Sequence, residues 1–154
     1  MKNYLNWIKY NSYGCEWEKA YFDELSGGYV VVDKQRIAYS KISKNEKDKF
    51  DKEYAMCVVF AQNGYKIEML KERPGFSSSD ITINGTMAEL KQTSSHNNML
   101  NYAKKAIDKQ GAKIVIFEFK NDTKKIQEEL DKMKRMNMKV YYYFTDYKDK
   151  IHIL

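Results

Sequence analysis

Cysteine is scarce in this sequence, and the positions of its two cysteines exclude a disulfide-stapled scaffold. Cys15 and Cys57 are the only cysteines among 154 residues, and neither has a partner at the short spacing of a metal site. Cys57 falls in an apolar stretch with helical periodicity, which predicts a free thiol in the core. The chain therefore suits a reducing compartment.

Long apolar runs are absent as well. No window approaches the roughly 18 consecutive apolar residues of a membrane-spanning helix. The first residues, MKNYLNWIKYNSYGCEW, lack the apolar stretch and the small-residue cleavage site of a signal peptide. We therefore expect a chain that neither spans a membrane nor directs its own export.

The composition is that of a folded globular protein. Hydrophobic residues make up 43% of the chain, charged residues 31% and aromatic residues 14%, a balance that excludes intrinsic disorder. At 154 residues the chain is long enough for one domain with a substantial core. The net charge of +6 favours an anionic partner such as nucleic acid or an acidic protein, although a lysine-rich solubilising surface accounts for it equally well.

Structural signals are weak before residue 46. The apolar residues of the stretch CEWEKAYFDEL stand near helical spacing and indicate a helix; they are Trp17, Ala20, Tyr21 and Leu25. The stretch SGGYVVVD predicts a short strand after a Gly-Gly break. We interpret residues 1–45 as an N-terminal extension that packs on a domain formed by residues 46–154.

The signals then sharpen into a regular series of elements. A helix over residues 46–63, capped by Ser43 or Asn45, is followed by a strand in YKIEMLKE and a Pro-Gly turn. DITI and MAELKQ form a hairpin around the dipeptide Asn84-Gly85, the strongest short-range hairpin signal. This region therefore contributes one helix and three consecutive strands.

The second half of the chain continues the series. A helix capped by Ser94, Ser95 or Asn97 leads to KIVIFEF, an apolar strand of the kind expected when both faces are covered. A third helix is capped by Asp122 or Thr123, and KVYYYFTDY is a strand that pairs with KIHIL. The order helix, three strands, helix, strand, helix, strand predicts an α/β fold with a mixed central sheet flanked by helices.

The Asn-Gly loop fixes the register of the hairpin. Ile81 then faces Ala88, and Asp80 stands directly opposite Glu89. Because side chains alternate along a strand, Asp80, Glu89 and Lys91 share one side of the hairpin. The other side carries the core-facing residues Ile81, Ile83, Ala88 and Leu90.

Asp80 and Glu89 are predicted to bind a metal ion. Opposed Cβ atoms lie about 4.5 to 5.5 Å apart, where two like charges destabilise the hairpin unless a cation lies between them. Two hard oxygen ligands suit Mg²⁺ or Mn²⁺ better than Zn²⁺, and Lys91 is placed to serve the attacking water. Glu53, at the border of the apolar stripe of its helix, completes the carboxylate set. The structural alternative is an exposed hairpin face with scattered charges and a solvated Glu53.

Polar residues follow the hairpin at a predicted helix start, where free N–H groups favour a phosphate. The residues expected to contact nucleic acid are Gln92, Ser94, Ser95, His96, Asn97 and Lys104. Helix capping explains the serines about equally well, a histidine in such a loop is often incidental, and a lysine on a helix face is often merely solvated.

The charged hairpin resembles the motif of the PD-(D/E)xK nuclease superfamily. Asp80 is followed, after eight residues, by Glu-Leu-Lys at 89–91, with Ser79 where the motif has proline. The resemblance covers residues 46 to about 147 and implies a restriction-endonuclease-like fold. It also implies a metal-dependent phosphodiesterase in which the two motif carboxylates bind the cation, the lysine serves the water, and Glu53 matches the carboxylate often supplied by the first helix.

A narrower resemblance concerns the stretch SDITINGTMAELKQTSSHNN…AKKAIDKQGAKIVIFEF. It is similar to the C-terminal toxin domains of contact-dependent growth inhibition and related polymorphic toxins, particularly their tRNA-cleaving nucleases. The similarity implies delivery as the C-terminal part of a larger secreted or cell-surface protein, action in the cytoplasm of a neighbouring bacterium, and a cognate immunity protein. RNA is favoured over DNA as the substrate, and a small molecule is not favoured.

Three other functions fit the same residues. A DNA endonuclease of the same fold would use the same metal site, because fold and metal do not choose the substrate. A metal-independent ribonuclease would need a histidine or lysine base and no carboxylate pair. A non-catalytic nucleic-acid or protein-binding module would keep the fold without the chemistry.

Overall fold

The computed structural model describes residues 2–71, 79–93 and 95–154. The predicted turn at Pro74-Gly75 and the candidate contact residue Ser94 lie outside these ranges. Within them the chain forms five helices and one eight-stranded sheet. None of these helices is long and apolar enough to cross a membrane.

The helices are α1 (Lys2–Asn11), α2 (Lys34–Ser40), α3 (Lys44–Gln62), α4 (Met99–Gln110) and α5 (Lys124–Arg135). The strands are β1 (Trp17–Phe22), β2 (Tyr29–Asp33), β3 (Lys66–Met69), β4 (Ile81–Ile83), β5 (Thr86–Thr93), β6 (Ile114–Phe119), β7 (Val140–Phe144) and β8 (His152–Ile153). They lie side by side in the sheet in the order of the chain. The pairs β2–β3, β5–β6 and β6–β7 are parallel, and the other four are antiparallel. The predicted α/β class and mixed sheet are confirmed, while the restriction-endonuclease-like assignment stays a prediction.

Helices cover both faces of the sheet. On one face the apolar stripe of α3 packs on the inner strands, and its residues Met56, Cys57 and Phe60 are fully buried. On the other face α4 and α5 cover β6 and β7, with Ile126 and Leu130 in that cluster. Burial from both sides explains why β6 has a nearly continuous apolar sequence. The predicted free core thiol at Cys57 is confirmed.

The helix indicated for the stretch around Trp17 is wrong, because residues Trp17–Phe22 form strand β1. Aromatic side chains favour a pleated surface, and pairing with β2 supplies backbone hydrogen bonds that local spacing does not reveal. β2 lies where the sequence predicts a strand, and it pairs with β3 in the same sheet. The domain boundary at residue 45 stays a prediction.

Helix caps agree with the sequence for two helices and differ for one. Ser43 accepts a hydrogen bond from the backbone of α3, and Thr123 accepts one from that of α5, as predicted. The N-cap of α4 is Asn98, in a left-handed conformation and without a side-chain cap, so the caps predicted at Ser95 and Asn97 are wrong. The Ser95 hydroxyl instead accepts a hydrogen bond from the Asn97 N–H in the preceding turn.

Candidate active site

The hairpin that carries the candidate residues has the predicted register. Ile81 pairs with Ala88, and the two following pairs close on Asn84 and Gly85. Both loop residues have positive φ, 48° and 83°, as the tight two-residue turn requires. Asp80 lies immediately before the first residue of β4. The turn thus places Asp80 beside the middle of β5.

Asp80 and Glu89 come together at this point. An Asp80 carboxylate oxygen accepts a hydrogen bond from the Leu90 N–H at 3.4 Å, and both acids line one cleft. Glu89 is 3% exposed, and its Oε1 atom has no hydrogen-bond partner among the described residues. Its other oxygen lies 3.5 Å from the Tyr102 hydroxyl oxygen. The alternative of an exposed hairpin face does not fit so deeply buried a carboxyl group.

Burial and a like charge change the acidity of Glu89. Its pKa rises from 4.5 to about 9, first because burial penalises the charged form and then because Asp80 is adjacent. Glu53 contributes a smaller effect in the same direction. At neutral pH Glu89 therefore holds a proton that a bound cation would displace.

The raised pKa predicts that Glu89→Gln stabilises the metal-free protein above neutral pH. The folded state keeps the proton up to about pH 9, whereas the unfolded chain releases it above about 4.5. The protonated Glu89 carboxyl contributes its full stability below pH 4.5, and this contribution is lost as the pH rises to about 9. Glutamine does not titrate, so the stability of the variant relative to wild type should increase by about 1.4 kcal/mol for each pH unit between pH 5 and pH 8.

Urea denaturation at pH 5 and pH 8 in EDTA measures this difference. Glu128→Gln, on the exposed surface of α5, is the matched control and should follow the wild-type pH dependence. Parallel curves for wild type and Glu89→Gln would contradict the prediction.

The two acids lie in a cleft of about 370 Å³, which we call the acidic cleft. Its lining comes from α3, the hairpin and α4, and includes Lys49, Lys52, Glu53, Met56, Asp80, Glu89, Leu90, Lys91, Gln92, Tyr102 and Gln110. The three lysines are exposed, while Glu89 is buried. The acids therefore lie inside the cleft and the lysines around it, and these lysines suit an anionic ligand.

Lys91 lies in the acidic cleft as the alternation along β5 predicts. Its ammonium is 5.0 Å from the centre of the Tyr102 ring. The Tyr102 hydroxyl in turn donates to the Leu90 carbonyl oxygen at 3.0 Å, which fixes the ring against β5. A cation over an aromatic face is stabilised by the ring. Tyr102 therefore orients Lys91 toward the cleft.

Glu53 reaches the same cleft from α3, but its carboxylate already has cationic partners. Glu53 is 8% exposed, so the alternative of a solvated helical glutamate is wrong. Its carboxylate forms an ion pair with Arg36 and lies 3.9 Å from the Lys49 ammonium. Arg36 also donates to the Leu70 carbonyl at 2.8 Å and to the Asp80 carbonyl at 3.4 Å. One guanidinium thus joins α3, the end of β3 and the residue that begins the motif.

Arg36 and Tyr102 are the site residues that the sequence interpretation missed. Arg36 lies in the segment interpreted as an extension, and Tyr102 lies on α4 among residues of the apolar face. One signal for Arg36 was present in the sequence. Most basic residues of this chain are lysines, so an arginine next to the apolar residues Ile37 and Ala38 indicates a buried ion pair. No comparable signal pointed to Tyr102.

The predicted nucleic-acid contacts fall in different places. A second cleft of about 410 Å³, which we call the amide cleft, adjoins the acidic cleft and shares Lys91, Gln92 and Tyr102 with it. Its other lining residues are Thr93, Ser95, Asn97, Asn98, Met99 and Phe117. His96 lines neither cleft but a neighbouring hollow, which shares Asn97, Asn98 and Met99 with the amide cleft. Lys104 is exposed on α4 and lines neither cleft.

The fit of this site to a metal ion is partial. Among the described residues no group of three His, Cys, Asp or Glu side chains is arranged to hold a metal. Asp80 and Glu89 nevertheless place hard oxygen donors in one cleft, and Glu89 Oε1 lacks a partner. Mg²⁺ and Mn²⁺ often use only one or two carboxylates together with water and phosphate oxygens, so these two residues fit such an ion. A third ligand from Glu53 stays a prediction.

Comparison with known proteins identifies a similar fold. No family model matches the sequence, and no curated protein matches it. A chain of the solved "CdiA-CT/CdiI toxin and immunity complex from Burkholderia pseudomallei" superposes with a TM-score of 0.54 at 16% sequence identity. The match covers 74% of this chain and 89% of that chain. At this identity the likeness shows a shared fold.

Proposed function

We propose that this chain is a metal-dependent endonuclease that hydrolyses phosphodiester bonds as the toxin domain of a contact-dependent growth inhibition protein. The observation that carries the proposal is the position of Asp80, Glu89 and Lys91 in one cleft. A buried acid with a raised pKa beside a second carboxylate is a common feature of catalytic sites. A purely structural hairpin has no need of that arrangement, because it destabilises the fold.

The charged residues of the acidic cleft have different proposed roles in hydrolysis. Asp80 and Glu89 would hold a divalent cation, Mg²⁺ or Mn²⁺ with Zn²⁺ as the alternative, and this cation would supply an activated water and offset the charge on the phosphate. Glu89 gives up its proton when the cation is bound. Lys91 positions the attacking water and balances negative charge that develops on the phosphate. Glu53 is a further ligand only if it leaves or shares its ion pair with Arg36.

The proposed substrate is a nucleic acid, with RNA and in particular tRNA favoured over DNA. Exposed lysines beside the half-buried Asp80 and the buried Glu89 suit a phosphodiester polymer better than a small neutral molecule. The preference for RNA rests on the resemblance to tRNA-cleaving toxin domains. Gln92 lines the acidic cleft, Ser95 and Asn97 line the adjoining amide cleft, and all three would contact the same polymer.

The proposed biological setting is competition between bacteria. The similar solved structure is named as a complex of a toxin and an immunity protein, and the acid pair in this chain favours the toxin role. The chain would be delivered as the C-terminal part of a larger secreted or cell-surface protein and act in the cytoplasm of the recipient. A cognate immunity protein would protect the producing cell.

Incubation of the purified protein with tRNA, total RNA and plasmid DNA tests the proposal. We expect cleavage of RNA with Mg²⁺ or Mn²⁺, none in EDTA, and none by Glu89→Gln at any metal. Cleavage in EDTA would instead support a metal-independent ribonuclease, and cleavage of DNA alone a DNA endonuclease. Binding without cleavage at every metal tested would support a non-catalytic module.

A further inference from the structure

Two buried oxygen atoms in the acidic cleft lack hydrogen-bond partners. One is Oε1 of Glu89, and the other is Oε1 of Gln110, the last residue of α4. Among the described residues these are the only buried side-chain nitrogen or oxygen atoms without a partner, and both residues line the acidic cleft. A buried polar atom without a partner is costly to the fold. Two such acceptors in one cleft therefore point to a ligand that satisfies both, either a cation or a hydrogen-bond donor.

Ser79 holds Gln110 beside the acid pair. Its hydroxyl donates to the backbone carbonyl oxygen of Gln110 at 3.0 Å, and Ser79 is 3% exposed. Because Ser79 directly precedes Asp80, this hydrogen bond ties the end of α4 to the residue that begins the motif. Gly111 follows with a φ of 74°, which ends the helix at Gln110. The proline that the motif has at position 79 could not form this hydrogen bond.

Gln110 has an oxygen that is easier for a cation to recruit than those of Glu53. The Glu53 carboxylate forms an ion pair with Arg36 and lies 3.9 Å from the Lys49 ammonium. The Gln110 side-chain oxygen has no hydrogen bond to give up. Amide carbonyl oxygens are common ligands of hard divalent cations, and a neutral ligand adds no repulsion to two neighbouring carboxylates. Gln110 is therefore better suited than Glu53 to complete the oxygen set.

We propose that the amide oxygen of Gln110 is the third protein ligand of the divalent cation held by Asp80 and Glu89, and that Ser79 is a positioning residue for it. The inference rests on the cation site of the proposed function. The three ligands come from the residue before β4, from β5 and from the end of α4. Cation binding would thus join α4 to the hairpin, while Glu53 keeps its ion pair with Arg36.

Calorimetric titration of the metal-free protein with Mn²⁺ tests the inference without any nucleic acid. Gln110→Met keeps the length of the side chain and removes its oxygen, so it should weaken Mn²⁺ binding about tenfold or more. Gln110→Glu supplies an oxygen from the same position and should bind Mn²⁺ at least as tightly as wild type. Circular dichroism establishes that each variant is folded.

Asn101 provides the matched controls. It is an exposed amide on the same helix and does not line the acidic cleft. Asn101→Met removes an amide as Gln110→Met does, and Asn101→Glu adds the same charge as Gln110→Glu. Both should leave Mn²⁺ affinity unchanged, which separates ligation from general effects of side-chain removal and of charge.

The pattern of losses separates this inference from the function on which it rests. Weaker binding by Glu89→Gln but wild-type binding by Gln110→Met would overturn the role of Gln110 and leave the cation site of Asp80 and Glu89 standing. Equal affinity of wild type and Glu89→Gln would overturn the cation site itself. Equal losses in Gln110→Met and Gln110→Glu would assign Gln110 a structural or hydrogen-bond-donating role and overturn the inference.

A double substitution tests the positioning role of Ser79. Ser79→Ala removes the hydroxyl that holds Gln110 and should weaken Mn²⁺ binding about threefold. Added to Gln110→Met it should cause no further loss, because the ligand that it positions is already gone. Ser40→Ala is the control, since Ser40 is also buried and donates to a helix carbonyl, that of Ile37, outside the cleft. Additive losses would overturn the role of Ser79.

Discussion

Asp80→Asn and Glu89→Gln are each expected to lower the rate of phosphodiester cleavage by about a thousandfold. Each replacement keeps the shape of the side chain and removes one negative oxygen ligand from a site that has two such acids in one cleft. Loss of either ligand weakens cation binding and removes the charge that stabilises the reaction. Lys91→Met should also lower the rate, because the attacking water is no longer positioned. Cation affinity should stay nearly unchanged, since Lys91 is not a ligand.

Rates on the mapped substrate, together with cation affinity by calorimetry, check this expectation. Glu128→Gln removes one carboxylate charge on the exposed surface of α5, outside the acidic cleft, and should keep full activity. Circular dichroism and thermal melting establish that each variant is folded. Wild-type activity in both Asp80→Asn and Glu89→Gln would end the proposal that these residues form the catalytic site.

Arg36→Met is expected to lower the free energy of unfolding by about 3 kcal/mol or more. Arg36 is 3% exposed, and its guanidinium pairs with the buried Glu53 carboxylate. It also donates to the carbonyl oxygens of Leu70 and Asp80. Methionine fills a similar volume but leaves a buried carboxylate without this cation and two carbonyls without this donor.

A double substitution shows whether the loss comes from the uncompensated charge. Adding Glu53→Gln to Arg36→Met should recover part of the lost stability, because it removes the carboxylate that Arg36 neutralises. Urea denaturation at pH 7 measures wild type, Arg36→Met, Glu53→Gln and the double variant. Arg135→Met, on the exposed last turn of α5, is the control and should change stability by less than about 0.5 kcal/mol. Simple additivity of the two single losses would contradict a direct coupling between Arg36 and Glu53.

The hairpin of the candidate site could be predicted because its determinants are local. Asn84 and Gly85 tolerate positive φ, and a two-residue loop allows one register for the strands that it joins. Strand alternation then places Glu89 and Lys91 on one side without any knowledge of the rest of the chain. What this reasoning could not supply is the burial of Glu89, which depends on α4 covering that face.

Arg36 and Tyr102 could not be predicted because their partners are distant in sequence. Arg36 meets Glu53, Leu70 and Asp80 only when α2, α3 and β3 have packed together. No sequence periodicity indicates contacts between residues so far apart in the chain. Tyr102 follows the apolar spacing of α4, so its hydroxyl contact with β5 is invisible until the helix is docked.

The first elements show how pairing overrides local spacing. Aromatic and apolar residues between Trp17 and Leu25 resemble one side of a helix, yet the segment pairs with β2 and forms the edge of the sheet. The same limit applies to α4, whose start was placed at the polar residues before it. Those residues hydrogen bond among themselves, and the helix begins after Asn98.

The order of the strands in the sheet has a consequence for the path of folding. Each described strand lies next to the strand that precedes it in the chain, so no strand has to enter between two that are already paired. The antiparallel hairpins close over short chain distances, whereas the three parallel pairs span helical crossovers and form more slowly. In this layout the first and the last strand are the two edges of the sheet, so either one can detach without separating two other strands. If the chain is delivered as proposed, unfolding would therefore begin at an edge strand whichever terminus is pulled.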